Sequence, residues 1–342
     1  MADTYFFLDH NGKRQLPTIE ELNNYRSEGV TVVFMLDANV CLDIVQFVNY
    51  KKQAKADKGP LFHFLEYAQK KNVDVNPMFG LLELCSNHRQ LELNTEKFSE
   101  MKNKIDFATS YPFKLLRNFQ FDYLENYKIF RKLELKSDIS SFNSMLLATY
   151  TCLLKINSIS KNGLSKEKAS DNMYKFLDWM LSDIGIILGT ELQLALNIFG
   201  GEKEVGLAKM IGIGGKPEKV THSSWGTAWD IFNMRFCCNS FSFSKNVAEN
   251  TYLIFVTSDV RLGNLISQLH LSSVIDASGF GGITNLYNSY IDLPHFDDEF
   301  RGTFSVKIIE LLSERFKQKK EIDVLDLKRI CQQLEESLVN GN

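Results

Sequence analysis

Two uninterrupted apolar runs stand out from a largely helical pattern of hydrophobic and polar positions. Val30 to Leu36 (VTVVFML) and Tyr252 to Val256 (YLIFV) are apolar or β-branched at successive positions, as suits strands covered on both faces. Each run leads into a polar turn that carries an acid, Asp37 in LDAN and Asp259 in TSD. After Asp37, residues Val40, Ile44, Val45, Phe47 and Val48 recur at helical spacing, which predicts a helix with Asn39 as its N-cap. A second helix is expected from Leu61 to Lys70, then a short strand from Val73 to Val75. Asn76 and Pro77 read as the cap and first residue of a third helix, with Glu83 in its second turn.

From Gln90 to Ser160 and from Ser165 to Phe199 the period is helical throughout, broken by the turn chemistry of SISKNGLS at Ser158 to Ser165. The glycines between Gly200 and Gly215 predict a long loop. Strand and helix then alternate again: a helix from Ser224 to Cys238, the strand Tyr252 to Val256, a helix from Leu262 to Leu269 and a short strand from Ser273 to Ile275. The expected organisation is a polar leader (1–29) whose only strand-like piece is Tyr5 to Leu8, the first part of an α/β core (30–90), an all-helical insertion (91–221), the second part of the core (222–295) and a helical tail (296–342).

Composition adds limits. A chain of 342 residues, 44% hydrophobic, can bury a substantial core. The six cysteines (Cys41, Cys85, Cys152, Cys237, Cys238 and Cys331) form no CxxC pair, and most lie in apolar runs, which fits buried free thiols in a reducing cytoplasm. No basic head and apolar stretch of the secretory type follows Met1. The longest apolar stretch, Ile184 to Phe199, contains Glu191 and falls short of a spanning helix, so a cytoplasmic protein with no membrane partner is expected. A formal charge of −3 gives no overall basic footprint for nucleic acid. Local clusters do exist, at Lys51, Lys52, Lys55 and Lys58, at Lys128, Arg131, Lys132 and Lys136, and at Arg315, Lys317, Lys319 and Lys320.

The candidate chemistry rests on four acids. Asp37 and Asp259 close the two strands, where open parallel sheets place their ligands. Glu83 lies among Phe79, Leu81, Leu82, Leu84 and Cys85, and Asp230 lies between Trp229 and the pair Ile231 and Phe232. A carboxylate in such surroundings needs a partner, which is a cation or, for Asp230, a salt bridge to Arg235. Thr227 and Asn233 share the helical face of Asp230. Asn39 is placed to orient Asp37, and the Thr257 and Ser258 hydroxyls to orient Asp259 or hold a metal-bound water. Asp43 and Asp276 are possible accessory acids. Carboxylates brought close raise one another's pKa unless a cation neutralises them, and oxygen-only ligation selects Mg²⁺ or Mn²⁺ over zinc.

Other signals point elsewhere. The histidines, His88, His222, His270 and His295 among them, have no ligand spacing, and GIGGK at Gly212 to Lys216 lacks the remaining residues of a phosphate-binding loop. Trp225, Trp229 and Phe236 read as core.

The order LDAN, helical Glu83, helical Asp230 and TSD resembles the PIN domain family of nucleases, over roughly residues 30–90 and 222–280. The resemblance implies a Rossmann-like core with a central, mainly parallel sheet, and hydrolysis of phosphodiesters, most often in single-stranded or structured RNA, leaving a 5′-phosphate and a 3′-hydroxyl. It makes Asp37, Glu83, Asp230 and Asp259 the metal-binding and catalytic set. The helical insertion would then cover the cleft, bind a regulatory protein or mediate self-association. Two other readings stand beside it: a non-catalytic PIN-like interaction module, and a phosphatase of the haloacid dehalogenase type. The latter wants a second acid where Asn39 stands.

Overall fold

A computed structural model describes residues 5–9, 15–50, 59–86, 93–126, 140–202, 206–238, 250–267, 270–277, 282–288, 293–317 and 323–339. The chain divides into two compact units, residues 1–138 with 233–263 and residues 139–232 with 264–342.

The first unit is an α/β assembly. Its strands are β1 (Phe6–Leu8), β2 (Thr31–Leu36), β3 (Asp74–Asn76) and β4 (Thr251–Thr257), in the sheet order β1-β4-β2-β3. β2 pairs in parallel with both β3 and β4, while β1 lies antiparallel along β4, so the sheet is small and mixed. The apolar runs are buried as their composition requires, with Phe34, Leu36, Phe255 and Val256 fully covered. Helices α1 (Ile19–Ser27), α2 (Ala38–Tyr50), α3 (Gly59–Lys71), α4 (Met78–Cys85), α5 (Thr95–Ser110), α6 (Phe113–Arg117) and α7 (Tyr123–Asn126) complete the part before residue 138. Phe64 of α3 packs on Phe34 and Phe7 with ring centroids 5.7 and 6.4 Å apart, which locks α3 to the sheet.

Several expectations shift. The leader contains α1, closed by a capping box in which Thr18 accepts from the Glu21 N–H and Glu21 accepts from the Thr18 N–H. Leu22 is its only fully buried residue, so the helix leaves almost no periodic apolar trace. Asn39 is not the cap of α2: the helix begins at Ala38, with Asn39 exposed in its first turn. Asp37 takes the capping place, its carbonyl accepting from Cys41 N at 3.0 Å. α4 also starts one residue later than Pro77, and Asn76 Oδ1 accepts from Met78 N at 2.9 Å.

Among the described residues the second unit is helical apart from one hairpin. α8 (Ser140–Ser160), α9 (Lys166–Trp179), α10 (Gly189–Phe199) and α11 (Leu207–Met210) precede α12 (Pro217–Cys238), whose last residues, Asn233–Cys238, belong to the first unit. Pro217 opens α12 at the position where a missing N–H costs nothing, seven residues earlier than the apolar pattern indicates. After β4 come α13 (Val260–Ser267), β5 (His270–Ala277), β6 (Gly282–Asn288), α14 (Asp298–Lys317) and α15 (Val324–Val339). β5 extends the expected strand in both directions and pairs antiparallel with β6, whose sequence GITNLYN gave no strand signal. α8 packs along α15, where the Tyr150 hydroxyl donates to Glu335 at 2.7 Å. Trp225 and Trp229 are core residues with rings 6.2 Å apart, as expected. Cys41, Cys85, Cys152, Cys237 and Cys331 are buried free thiols.

Among the described residues no helix is long and apolar enough to cross a membrane. The first two basic clusters and His88 lie outside the described residues, as do Lys319, Lys320 and the side chains of Arg315, Lys317, Cys238 and Asp276.

Candidate metal centre

Parallel pairing of β2 with β4 brings the ends of both apolar runs to the same edge of the sheet. The ladder continues one step past β2, with Asp37 N donating to Val256 O at 2.9 Å. This fixes the Asp37 backbone beside Thr257, whose hydroxyl donates to Asp37 Oδ2 at 2.7 Å. The same hydroxyl accepts from Asp259 N at 3.0 Å, so Thr257 links the two acids. Asp37 is fully buried, and its Oδ1 has no hydrogen-bond partner.

Helix α4 reaches this point because residue 80 is glycine. A Cβ on Gly80 would stand 2.7 Å from Leu36 O, 2.8 Å from the Asp37 carbonyl carbon and 2.9 Å from Ala38 N, so only a bare backbone can approach the β2–α2 turn so closely. Glu83 follows one turn later. Phe79 of α4 meets Phe236 of α12 edge-on at a centroid distance of 4.6 Å. Asp230 and Asn233, three residues apart, are neighbours on the surface of the same helix. One carboxylate oxygen each from Asp37, Glu83 and Asp230 lies within 4.8 Å of the others, with Asp37 buried and the other two half-buried.

Electrostatics agree with the geometry. Burial is the largest influence on Asp37 and, aided by the nearby Asp259 charge, pushes its pKa up to about 6. The Thr257 hydrogen bond, the Ala38 N–H and the Asn39 side chain pull in the other direction without overcoming it. The last two act as nearby dipoles, since neither closes a well-formed hydrogen bond to Oδ1. The Cys41 thiol, buried beneath the site, is pushed well above its usual range by burial and then by the Asp37 and Glu83 charges, which makes it an inert neutral wall.

No family model, curated protein or solved structure matches this chain. The site must therefore be judged on its own atoms. Three carboxylates with a shared approach distance, one holding an oxygen that no described residue satisfies, form a donor set suited to a hard divalent cation.

The other predicted positions are placed differently. Asp259 lies outside the group of three and caps α13: its Oδ1 accepts from the N–H groups of Arg261 and Leu262 at 2.7 and 3.2 Å, with the Arg261 guanidinium 3.6 Å away. It reaches Asp37 through Thr257 and through its charge. Ser258 is half-buried and forms no hydrogen bond to the acids. Asp43 accepts from the Tyr5 hydroxyl at 2.8 Å. Two residues contribute beyond the four acids, Gly80, which the sequence reading passes over, and Asn233, which it notes only as a neighbour of Asp230. Gly80 stands inside an apolar helix, a position where glycine can mark a close backbone approach. Asn233 is fully buried with neither amide atom partnered among the described residues, and its spacing from Asp230 is the signal that marks it in the sequence.

Proposed function

We propose that the chain is a Mg²⁺- or Mn²⁺-dependent phosphodiester hydrolase, most specifically a PIN-type endoribonuclease. The observation that carries this reading is the convergence of Asp37, Glu83 and Asp230 around the unsatisfied Asp37 Oδ1. Asp37, Glu83 and Asp230 would hold the cation. Bound there, it would supply a water of lowered pKa and charge stabilisation for a phosphate in hydrolysis. Asp37 serves best as an ionised ligand, with Thr257 holding Oδ2 so that Oδ1 faces the site. Asp259 acts from behind, adding negative charge and fixing the Thr257 hydroxyl. The choice of phosphodiester, and of RNA over DNA, rests on the motif resemblance together with this donor chemistry.

The test is incubation of the purified protein with single-stranded RNA and DNA, with Mn²⁺ or with EDTA. RNA cleavage is expected only with the metal, and Asp37→Asn or Glu83→Gln should each lower it by about a hundredfold or more. Undiminished cleavage by both variants would remove the assignment. Metal binding by wild type with no cleavage of either substrate would favour the non-catalytic module.

A further inference from the structure

Asn233 is buried in the first unit, and among the described residues neither its carbonyl oxygen nor its amide nitrogen finds a hydrogen-bond partner. Buried amides are nearly always paired, and an orphaned one calls for a missing partner. Its place narrows what that partner is. Asn233 follows Asp230 by three residues, which makes the two neighbours on the surface of α12, and Asp230 supplies one of the three clustered carboxylates. The orphaned amide is therefore the immediate helical neighbour of a member of the acid cluster.

Charge argues for an amide here. Three carboxylates already exceed the charge of one divalent cation, so a further ligand need carry no charge. An amide carbonyl adds an oxygen donor with no charge, a ligand type that hard cations accept alongside carboxylates. Resting on the cation site put forward above, we propose that Asn233 is a neutral ligand of that site, its Oδ1 completing the donor set of Asp37, Glu83 and Asp230. Its Nδ2 then donates to an oxygen of the phosphate brought to the cation.

The experiment is Mn²⁺ titration calorimetry on the full chain, comparing wild type, Asn233→Leu, Asn233→Asp and Asp37→Asn. Leucine fills the space without a donor oxygen and should weaken Mn²⁺ binding about tenfold or more, as loss of a supporting group does at other metal sites. Aspartate keeps the oxygen and adds charge, and should tighten binding about tenfold. If Asn233→Leu fails to fold, Asn233→Asp decides. Binding unchanged in the folded Asn233 variants while Asp37→Asn has lost it would overturn the role of Asn233 and leave the cation site standing. No Mn²⁺ binding by wild type would overturn both.

Discussion

Replacing Asp37 by asparagine is expected to stabilise the metal-free protein near pH 8 while abolishing its response to Mn²⁺. The Asp37 pKa is raised in the fold to about 6. A carboxyl with a raised folded-state pKa holds its proton more tightly folded than unfolded, so its contribution to stability is fully present below about pH 4 and lost as pH rises through about 6. Near pH 8 the ionised, buried carboxylate therefore costs the wild type about 3 kcal/mol relative to acid conditions. Asparagine never ionises and can turn its carbonyl to the Thr257 hydroxyl. Its amide nitrogen then occupies the unpartnered position of Oδ1, which offsets part of the gain. A net stabilisation of about 1–2 kcal/mol near pH 8, turning into a destabilisation of about 1 kcal/mol near pH 4, is the expected result in urea unfolding with EDTA present. Added Mn²⁺ should raise the wild-type midpoint and leave the variant's unchanged. A variant less stable than wild type near pH 8 would mean that Asp37 is held for packing.

The second large effect is at a residue with no chemistry of its own. Gly80→Ala would place a methyl group 2.7–2.9 Å from three backbone atoms of the β2–α2 turn, none of which can rotate away. Overpacking of this kind costs about 1–3 kcal/mol, and relief requires α4 to move outward. Glu83 rides on α4, so the displacement reaches the acids directly. The expected outcome is a lowered urea midpoint together with Mn²⁺ affinity reduced about tenfold or more. Wild-type stability and affinity in Gly80→Ala would show that the close approach does not position Glu83.

These two residues mark what the sequence revealed and what it hid. Strands β2 and β4 were legible because burial on both faces demands an unbroken apolar run, and Asp37 and Asp259 were legible because they end those runs. Glu83 and Asp230 stood out as acids in apolar company. What escaped depended on partners distant in the chain. α1 buries little but Leu22, so its apolar trace is faint, and its capping box is a local feature easily taken for loop chemistry. The antiparallel place of β1 on β4 is a pairing that no local pattern encodes. Asp259 looked equivalent to Asp37, yet the short link to α13 turns it into a cap. Gly80 and Asn233 gain meaning only when α4 meets the end of β2 and the last turns of α12.

The central claim, that Asp37, Glu83 and Asp230 share one cation, is tested most directly by diffraction from crystals soaked in Mn²⁺ and recorded at the manganese edge. An anomalous peak bounded by oxygens of these three side chains, about 2.0–2.2 Å from each, is the predicted result. A pocket without a peak, in which the three acids point apart or are each paired with a lysine or arginine, would contradict it.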